Sequence, residues 1–309
     1  MTHTEHWHVA KDGKRLFFRR FLPAAAPTAV VHVAHGLAEH SARYQRVAEV
    51  LTGAGYAVYA DDHRGHGQTG LASNELGFVD GGLARVLEDF RELLAFECAE
   101  HPGLPVVFFG HSMGSMLAQA MMQSDGASFA AVVLSASNGK PPPIARVGQL
   151  LARLERWRSG PRGTSALLKK LSFDAFNKPF EPGPTAFEWL SRDRAEVDKY
   201  VADPLCGFAA SNALWVDLLD LLADLARPEA QARIPHALPV FVISGSEDMA
   251  NERTKGLLQL LGALKAAGLT DVTHRFYPGA RHELLNETNR DEVHQDLLAW
   301  LAPRLKKAT

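Results

Sequence analysis

The chain has 309 residues, 46% of them hydrophobic and 22% charged, with a formal charge of −2. That profile belongs to an ordinary globular protein and excludes fibrous and intrinsically disordered classes. Length allows two domains, or one domain carrying a large insertion. The two cysteines, Cys98 and Cys206, are too few for a disulfide framework or a four-cysteine zinc site, which fits a reducing compartment. Met1 to Val9 holds three histidines and no apolar run behind a basic start, so no secretory signal is expected. No window approaches the roughly 18 unbroken apolar residues of a membrane span. These features predict a cytoplasmic protein whose contact with membranes is at most peripheral.

The predicted elements begin with a hairpin turning at Asp12-Gly13, with Arg15 to Leu22 as its second arm. Ala29 to Val33 reads as a buried strand. Ser41 to Leu51 reads as a helix with Tyr44, Val47, Ala48 and Leu51 on one face and Ser41 placed to cap it. Tyr56 to Ala60 is the next strand. Leu83, Val86, Leu87, Phe90, Leu93 and Leu94 recur at helical spacing and predict a helix over Gly82 to Glu100. Pro105 to Phe109, Ala130 to Leu134 and Pro239 to Ile243 lack polar alternation, as strands buried on both faces of a parallel sheet do. Val293, Leu297, Trp300 and Leu301 predict a closing helix stopped by Pro303. Strands alternating with helices predict an α/β fold with a mostly parallel sheet flanked by helices.

One stretch breaks the alternation. Between Ser137 and Leu238 lie 100 residues, whereas a crossover between parallel strands needs only about a dozen. The segment opens on Pro141-Pro142-Pro143 and carries two helical stripes, Ile144 to Trp157 and Trp215 to Leu225. A helical cap is therefore expected at 138–225, inserted into a core formed by 1–137 and 226–309.

Immediately after the strand ending at Phe109 comes Gly110-His111-Ser112-Met113-Gly114, a G-x-S-x-G match followed by the helix-forming stretch Ser115 to Gln123. Strand, sharp turn and helix are the context of a nucleophile elbow, in which a strained turn exposes the serine and neighbouring side chains would collide. A serine hydroxyl needs a base to take its proton, and the base needs an orienting acid. Chain order in such a fold is serine, acid, histidine. Pro239 to Ile243 leads into Ser244-Gly245-Ser246-Glu247-Asp248, which puts a carboxylate just past a strand's carboxyl end; Asp248 is preferred to Glu247. His274 to Tyr277 leads by a short turn to His282. His236, His274 and His294 lie in a connection, a strand and a helix, and read as structural or surface histidines.

The oxyanion of a tetrahedral intermediate needs donors. The backbone N–H of Met113 is one candidate and that of Leu37, in His35-Gly36-Leu37-Ala38-Glu39-His40, the other. Asp61-Asp62-His63-Arg64-Gly65-His66-Gly67 mixes carboxylates and imidazoles, but consecutive ligands in one loop rarely satisfy metal geometry, so a hydrogen-bonded loop beside the site is expected instead. Its G-x-G-x-x-G match, Gly65 to Gly70, stands four residues from the strand with no helical pattern at its end, and so lacks the context of a dinucleotide site. No metal or organic cofactor is expected.

Together, His35 to Tyr44, Asp62 to Gly67, Gly110 to Gly114 and the Asp248 and His282 signals resemble the lysophospholipase/monoacylglycerol lipase branch of the serine α/β-hydrolases, often labelled serine-aminopeptidase-like. The resemblance runs from about residue 8 to 303. It implies a Ser112, Asp248 and His282 triad, an oxyanion hole from Leu37 and Met113, and a helical cap over an acyl pocket. Haloalkane dehalogenases and epoxide hydrolases of this fold carry aspartate at the elbow, so Ser112 argues against both. The expected activity is hydrolysis of lipid monoesters or short- to medium-chain esters through an acyl-enzyme. An aminopeptidase or amidase would need cap acids such as Glu181, Glu188, Asp193, Glu196 or Asp198 to hold an ammonium group. An acyltransferase would share the triad, and a purely binding role fits poorly with it.

Lys140 to Lys178 holds nine lysines and arginines against Glu155 and Asp174, a local +7 that leaves −9 for the rest. With Arg146, Arg153 and Arg156 beside the apolar stripe, the first cap helix suits either an anionic lipid surface or ordinary packing on the core. The acidic bulk and the lack of a recognition motif argue against nucleic acid.

Overall fold

A computed structural model describes residues 1–305. The eight strands are β1 (Thr2–Val9), β2 (Arg15–Leu22), β3 (Ala29–Ala34), β4 (Tyr56–Asp61), β5 (Val106–His111), β6 (Ala131–Ser135), β7 (Val240–Gly245) and β8 (Val272–Tyr277). They form one sheet in the order β1-β2-β4-β3-β5-β6-β7-β8. The β1–β2 and β2–β4 pairs are antiparallel and the others parallel. Every residue of β3, β4, β5, β6 and β7 is buried, the reason these runs show no alternation.

Helices cover both faces. On one side α1 (Gln45–Gly53) and α12 (Arg290–Leu305) set Val47, Leu51, Val293, Leu297 and Leu301 against Val31, Val33, Phe109 and Ile243. On the other, α3 (Gly82–Glu100), α4 (Met113–Asp125) and α11 (Lys255–Ala266) bring Val86, Phe90, Leu117, Met121 and Leu260 onto Val30, Phe108, Val132 and Val242. The short α2 (Gly67–Ala72) lies in the loop after β4. Residues 138–225 contain α5 (Ala145–Ser159), α6 (Ala166–Lys169), α7 (Ala175–Asn177), α8 (Arg194–Ala202) and α9 (Asn212–Leu225), and α10 (Pro228–Gln231) follows.

Strand order positions the site. From β3 the chain steps to β4 on one side and later to β5 on the other, so β3 and β5 flank a switch point where the loops leaving their carboxyl ends diverge and open a crevice. The loop after β3 carries Leu37, and the turn after β5 carries Ser112.

Three local expectations change, and a fourth point left open is decided. Ser41 opens a 3-10 turn, Ser41–Tyr44, and caps nothing: its N–H donates to Asp62 Oδ1 at 2.8 Å, while its hydroxyl has no partner among the described residues. Helix α12 runs through Pro303 to Leu305, because a proline in a last turn removes only one ladder bond. A helix does start inside the Gly65 to Gly70 match, at Gly67. Finally, the stripe on α5 faces outward: Ile144, Val147, Leu150, Leu154 and Trp157 are all exposed, Trp157 at 83%. The packed face of α5 combines Leu151, which packs against the core, with small groups. Ala152 is buried, Gly148 sits against Leu219 of α9, and Asn212 donates to the Glu155 carbonyl and Ser159 hydroxyl oxygens.

Candidate active site

Ser112 stands between β5 and α4 with φ 51° and ψ −119°, a conformation that costs a non-glycine residue energy and aims its side chain out of the turn. Glycine is required on both sides. A Cβ on Gly114 would strike the carbonyl oxygens of Ala34 and His35, and one on Gly110 the backbone of Gly114 and Ser115. The elbow is thus wedged against the end of β3, which brings the β3 loop to the serine.

The three side chains expected to act together converge from three loops. The Ser112 hydroxyl lies 2.9 Å from His282 Nε2, and His282 Nδ1 lies 2.9 and 3.0 Å from the two Asp248 oxygens. Asp248 and His282 are 0% and 2% exposed. Since an ionised carboxylate only accepts, Nδ1 carries the proton and Nε2 is free to accept from the serine. Asp248 is itself oriented: it accepts from Asn251 Nδ2 at 2.7 Å, the Ser244 hydroxyl at 3.2 Å and the Ala250 N–H at 3.0 Å. Burial pushes the His282 pKa down, but the charge and hydrogen bond of Asp248, aided by Glu283 and Glu39, outweigh it and hold the group above its ordinary value. Neighbouring His111 is driven down to about 3 by burial and by His282, so it stays neutral. Glu247 is elsewhere, paired with Arg253 at the surface.

Leu37 and Met113 line the cavity beside Ser112, and among the described residues neither backbone N–H has a protein acceptor. Two donors free at the mouth of a helix N-terminus suit a developing oxyanion. The β3 loop is fixed by Glu39, whose Oε1 accepts from the Gly36 N–H at 2.6 Å and the Tyr44 hydroxyl at 2.8 Å. Arg43 joins Glu39, at 2.9 Å, to Glu283, which it grips through both terminal nitrogens, so a buried ionic bridge ties the β3 loop to the residue after His282. The Asp61 to Gly67 loop backs this assembly. His63 stacks on His35 at 3.7 Å, Asp62 accepts from the Ser41 and Gln68 N–H groups, and Arg64 pairs with Asp89.

Sequence reasoning missed Glu39, Arg43, Glu283, Asn251 and Trp189 as supports. Trp189 packs 4.8 Å from the His282 ring and its carbonyl accepts the His282 N–H at 3.3 Å. Glu283 had a signal, adjacency to His282; Trp189 had none, since it comes from a loop 93 residues upstream. The crevice is a cavity of about 310 Å³ lined mainly by apolar groups, among them Met116, Phe173, Phe176, Trp189, Trp215 and Leu218. None of Glu181, Glu188, Asp193, Glu196 and Asp198 lines it. Asp193 pairs with Arg290, Glu196 with Arg46 and Lys199, and Glu188 and Asp198 with Arg194.

The family model described as serine aminopeptidase, S33, matches residues 25–289. The chain is 30% identical over 312 residues to the monoacylglycerol lipase of Mycolicibacterium smegmatis, covering 98% of this chain and 99% of that protein. It is also 30% identical to the monoglyceride lipase of Homo sapiens, covering 97% of this chain and 91% of that one. Among solved structures, a highly thermostable carboxyl esterase from Bacillus coagulans aligns with a TM-score of 0.91 at 26% identity, over 99% of this chain and 100% of that chain. With a mostly parallel sheet, an elbow at its switch point and these relatives, the chain belongs to the serine aminopeptidase S33 family and is a serine hydrolase of the α/β-hydrolase fold.

Proposed function

We propose that the protein hydrolyses lipid monoesters, monoacylglycerols or lysophospholipids, together with shorter esters, through an acyl-enzyme on Ser112. His282 takes the serine proton during attack, and Asp248 holds the imidazole in register and stabilises its charged form. The Leu37 and Met113 N–H groups receive the oxyanion. His282 then protonates the departing alcohol and activates the water that releases the fatty acid. The observation that carries this reading is the apolar cavity opening on the Ser112 hydroxyl, which suits an acyl chain. The monoacylglycerol and monoglyceride lipases among the relatives support it. An aminopeptidase reading is disfavoured because the five cap acids lie outside the cavity and the acid that does line it, Glu252, is paired with Lys255. A p-nitrophenyl ester series from acetyl to palmitoyl, run beside monoolein, a lysophospholipid and an aminoacyl amide, tests it. Monoolein or the lysophospholipid should be turned over and the amide left intact; preference for the amide would overturn the reading.

We infer further that residues 138–225 act as a cap whose helix α5 rests on lipid. Five large apolar side chains on one exposed stripe have no counterpart to bury them, and no helix among the described residues is long and apolar enough to cross a membrane. Arg153 is committed to Asp220 and Arg156 lies beside Asp217 of α9, which leaves Arg146 to face anionic headgroups. Burying half of the roughly 200 Å² of a tryptophan at about 25 cal/mol per Å² gives about 2.5 kcal/mol. Trp157→Ser should therefore weaken vesicle binding by up to roughly 70-fold and slow monoolein hydrolysis on vesicles, with p-nitrophenyl acetate turnover unchanged. Equal co-sedimentation of the parent and variant chains with anionic vesicles would remove α5 from the interface.

A further inference from the structure

The loop after β3 is also held by a second cluster that the hydrolytic reaction does not use. The Ala38 carbonyl accepts from the Gly207 N–H and the Tyr200 hydroxyl, both at 2.9 Å. Next to this junction His40 Nε2 lies 2.9 Å from Asp203 Oδ2, and the Cys206 sulfur completes a trio whose ligand atoms all fall within 4.8 Å of one another. His40 and Cys206 are buried and Asp203 is partly exposed. His40 and Asp203 also line an open cleft of about 740 Å³ that includes neither Ser112 nor His282, so solutes reach them without entering the catalytic cavity.

We propose that His40, Asp203 and Cys206 form an accessory site for a thiophilic divalent cation of the zinc and cadmium class, which links the β3 loop to the segment after α8. Imidazole nitrogen, carboxylate oxygen and thiolate sulfur are the donor types that such ions take, and tetrahedral geometry sets neighbouring ligands roughly 3.3–3.7 Å apart. The spacing here brackets that range, so small rotations of His40 and Asp203 suffice. The fourth position is left to water from the cleft. On binding, a metal–sulfur bond forms as the Cys206 thiol releases its proton to solvent; His40 binds neutral, Asp203 binds ionised, and nothing is oxidised or reduced. Arg43 faces the thiol, but its charge is already matched by Glu39 and Glu283 and does not repel the ion. A cation here stabilises the folded chain by mass action and restrains the β3 loop, since His40 follows Leu37 by three residues.

The test uses the full chain carrying Cys98→Ser, so that Cys206 is the sole thiol, titrated with cadmium and then zinc. The expected result is a thiolate-to-cadmium charge-transfer band that saturates at one equivalent, with a raised Tm. Cys206→Ser should abolish the band, and Asp203→Asn should weaken binding at least about 10–100-fold, the loss that even outer-shell changes cause. Asp203 is partly exposed, so the asparagine variant keeps the fold and decides the matter should Cys206→Ser unfold. Absence of the band in the Cys98→Ser chain overturns the proposal, as does an unchanged affinity in Asp203→Asn. Binding without a thiolate band overturns it too, and points to His3, His6 and His8 on β1.

Discussion

Replacing Ser112 by alanine is expected to lower kcat on a medium-chain ester by about 10⁶-fold, the loss typical when a triad nucleophile is removed, while KM changes little. The cavity walls remain, so substrate still binds; what disappears is the atom that forms the acyl bond. The same reasoning makes the double variant Ser112→Ala/His282→Ala no worse than either single, because the base has nothing to deprotonate once the hydroxyl is gone. A residual rate above that in water should persist, supplied by the Leu37 and Met113 donors and by binding alone. A fluorophosphonate labels the parent chain at Ser112 and leaves Ser112→Ala unlabelled. An adduct at another serine, or a loss below tenfold, would take the nucleophile's role away from Ser112.

What was legible in the sequence was what depends on short range. Buried parallel strands are continuous apolar runs, and each of the five such runs lies in a strand of the central sheet within two residues at either end. The helix Gly82–Glu100 was legible in outline because Leu83, Val86, Leu87, Phe90, Leu93 and Leu94 recur at 3.6-residue spacing. The nucleophile elbow is a local backbone shape with a fixed spacing, and the acid and the histidine each follow a strand by a short turn. Position relative to a strand's carboxyl end is therefore enough to bring Asp248 and His282 to Ser112 without any knowledge of packing.

The supports of the site were not legible, for a physical reason. Arg43 and Glu283 are 240 residues apart, and nothing in the chain near either one marks the other as its partner. The same holds for Trp189 and His282. The orientation of α5 illustrates a different limit. Periodicity shows that Ile144 to Trp157 form a stripe, but a helix with small residues opposite that stripe can pack by either side. Here Gly148 and Ala152 allow a close approach to α9 and turn the large side chains out. Ser41 shows the limit at a cap: it lies inside the 3-10 turn, with His40 at the capping position, so its hydroxyl is not placed to accept the first-turn N–H groups. Local chemistry proposes partners, and tertiary structure chooses among them.

Asp248→Asn should separate orientation from charge. In the parent chain both carboxylate oxygens sit within 3.0 Å of Nδ1, which fixes the proton there and favours the imidazolium formed as Ser112 attacks. The asparagine amide keeps the size, but Asn251 and the Ser244 hydroxyl compete for its carbonyl oxygen. Its NH₂ group can then face Nδ1, which moves the ring proton to Nε2 and leaves Ser112 without a base. A fall in kcat of about 10⁴-fold follows. The pH profile supplies a readout that a merely structural change would not move. The reaction needs neutral His282, so kcat/KM of the parent rises with pH through the His282 pKa, which Asp248 holds above the ordinary value of about 6.5. As pH falls through that raised value the ring is protonated and activity is lost. Without the Asp248 charge, burial dominates and lowers the pKa, so the acid limb of the variant moves to lower pH even as its plateau collapses. Glu247→Gln is the control: Glu247 pairs with Arg253 at the surface and should leave both limb and plateau unchanged. A limb that stays in place in Asp248→Asn, or one that moves in Glu247→Gln, would transfer the orienting role from one carboxylate to the other.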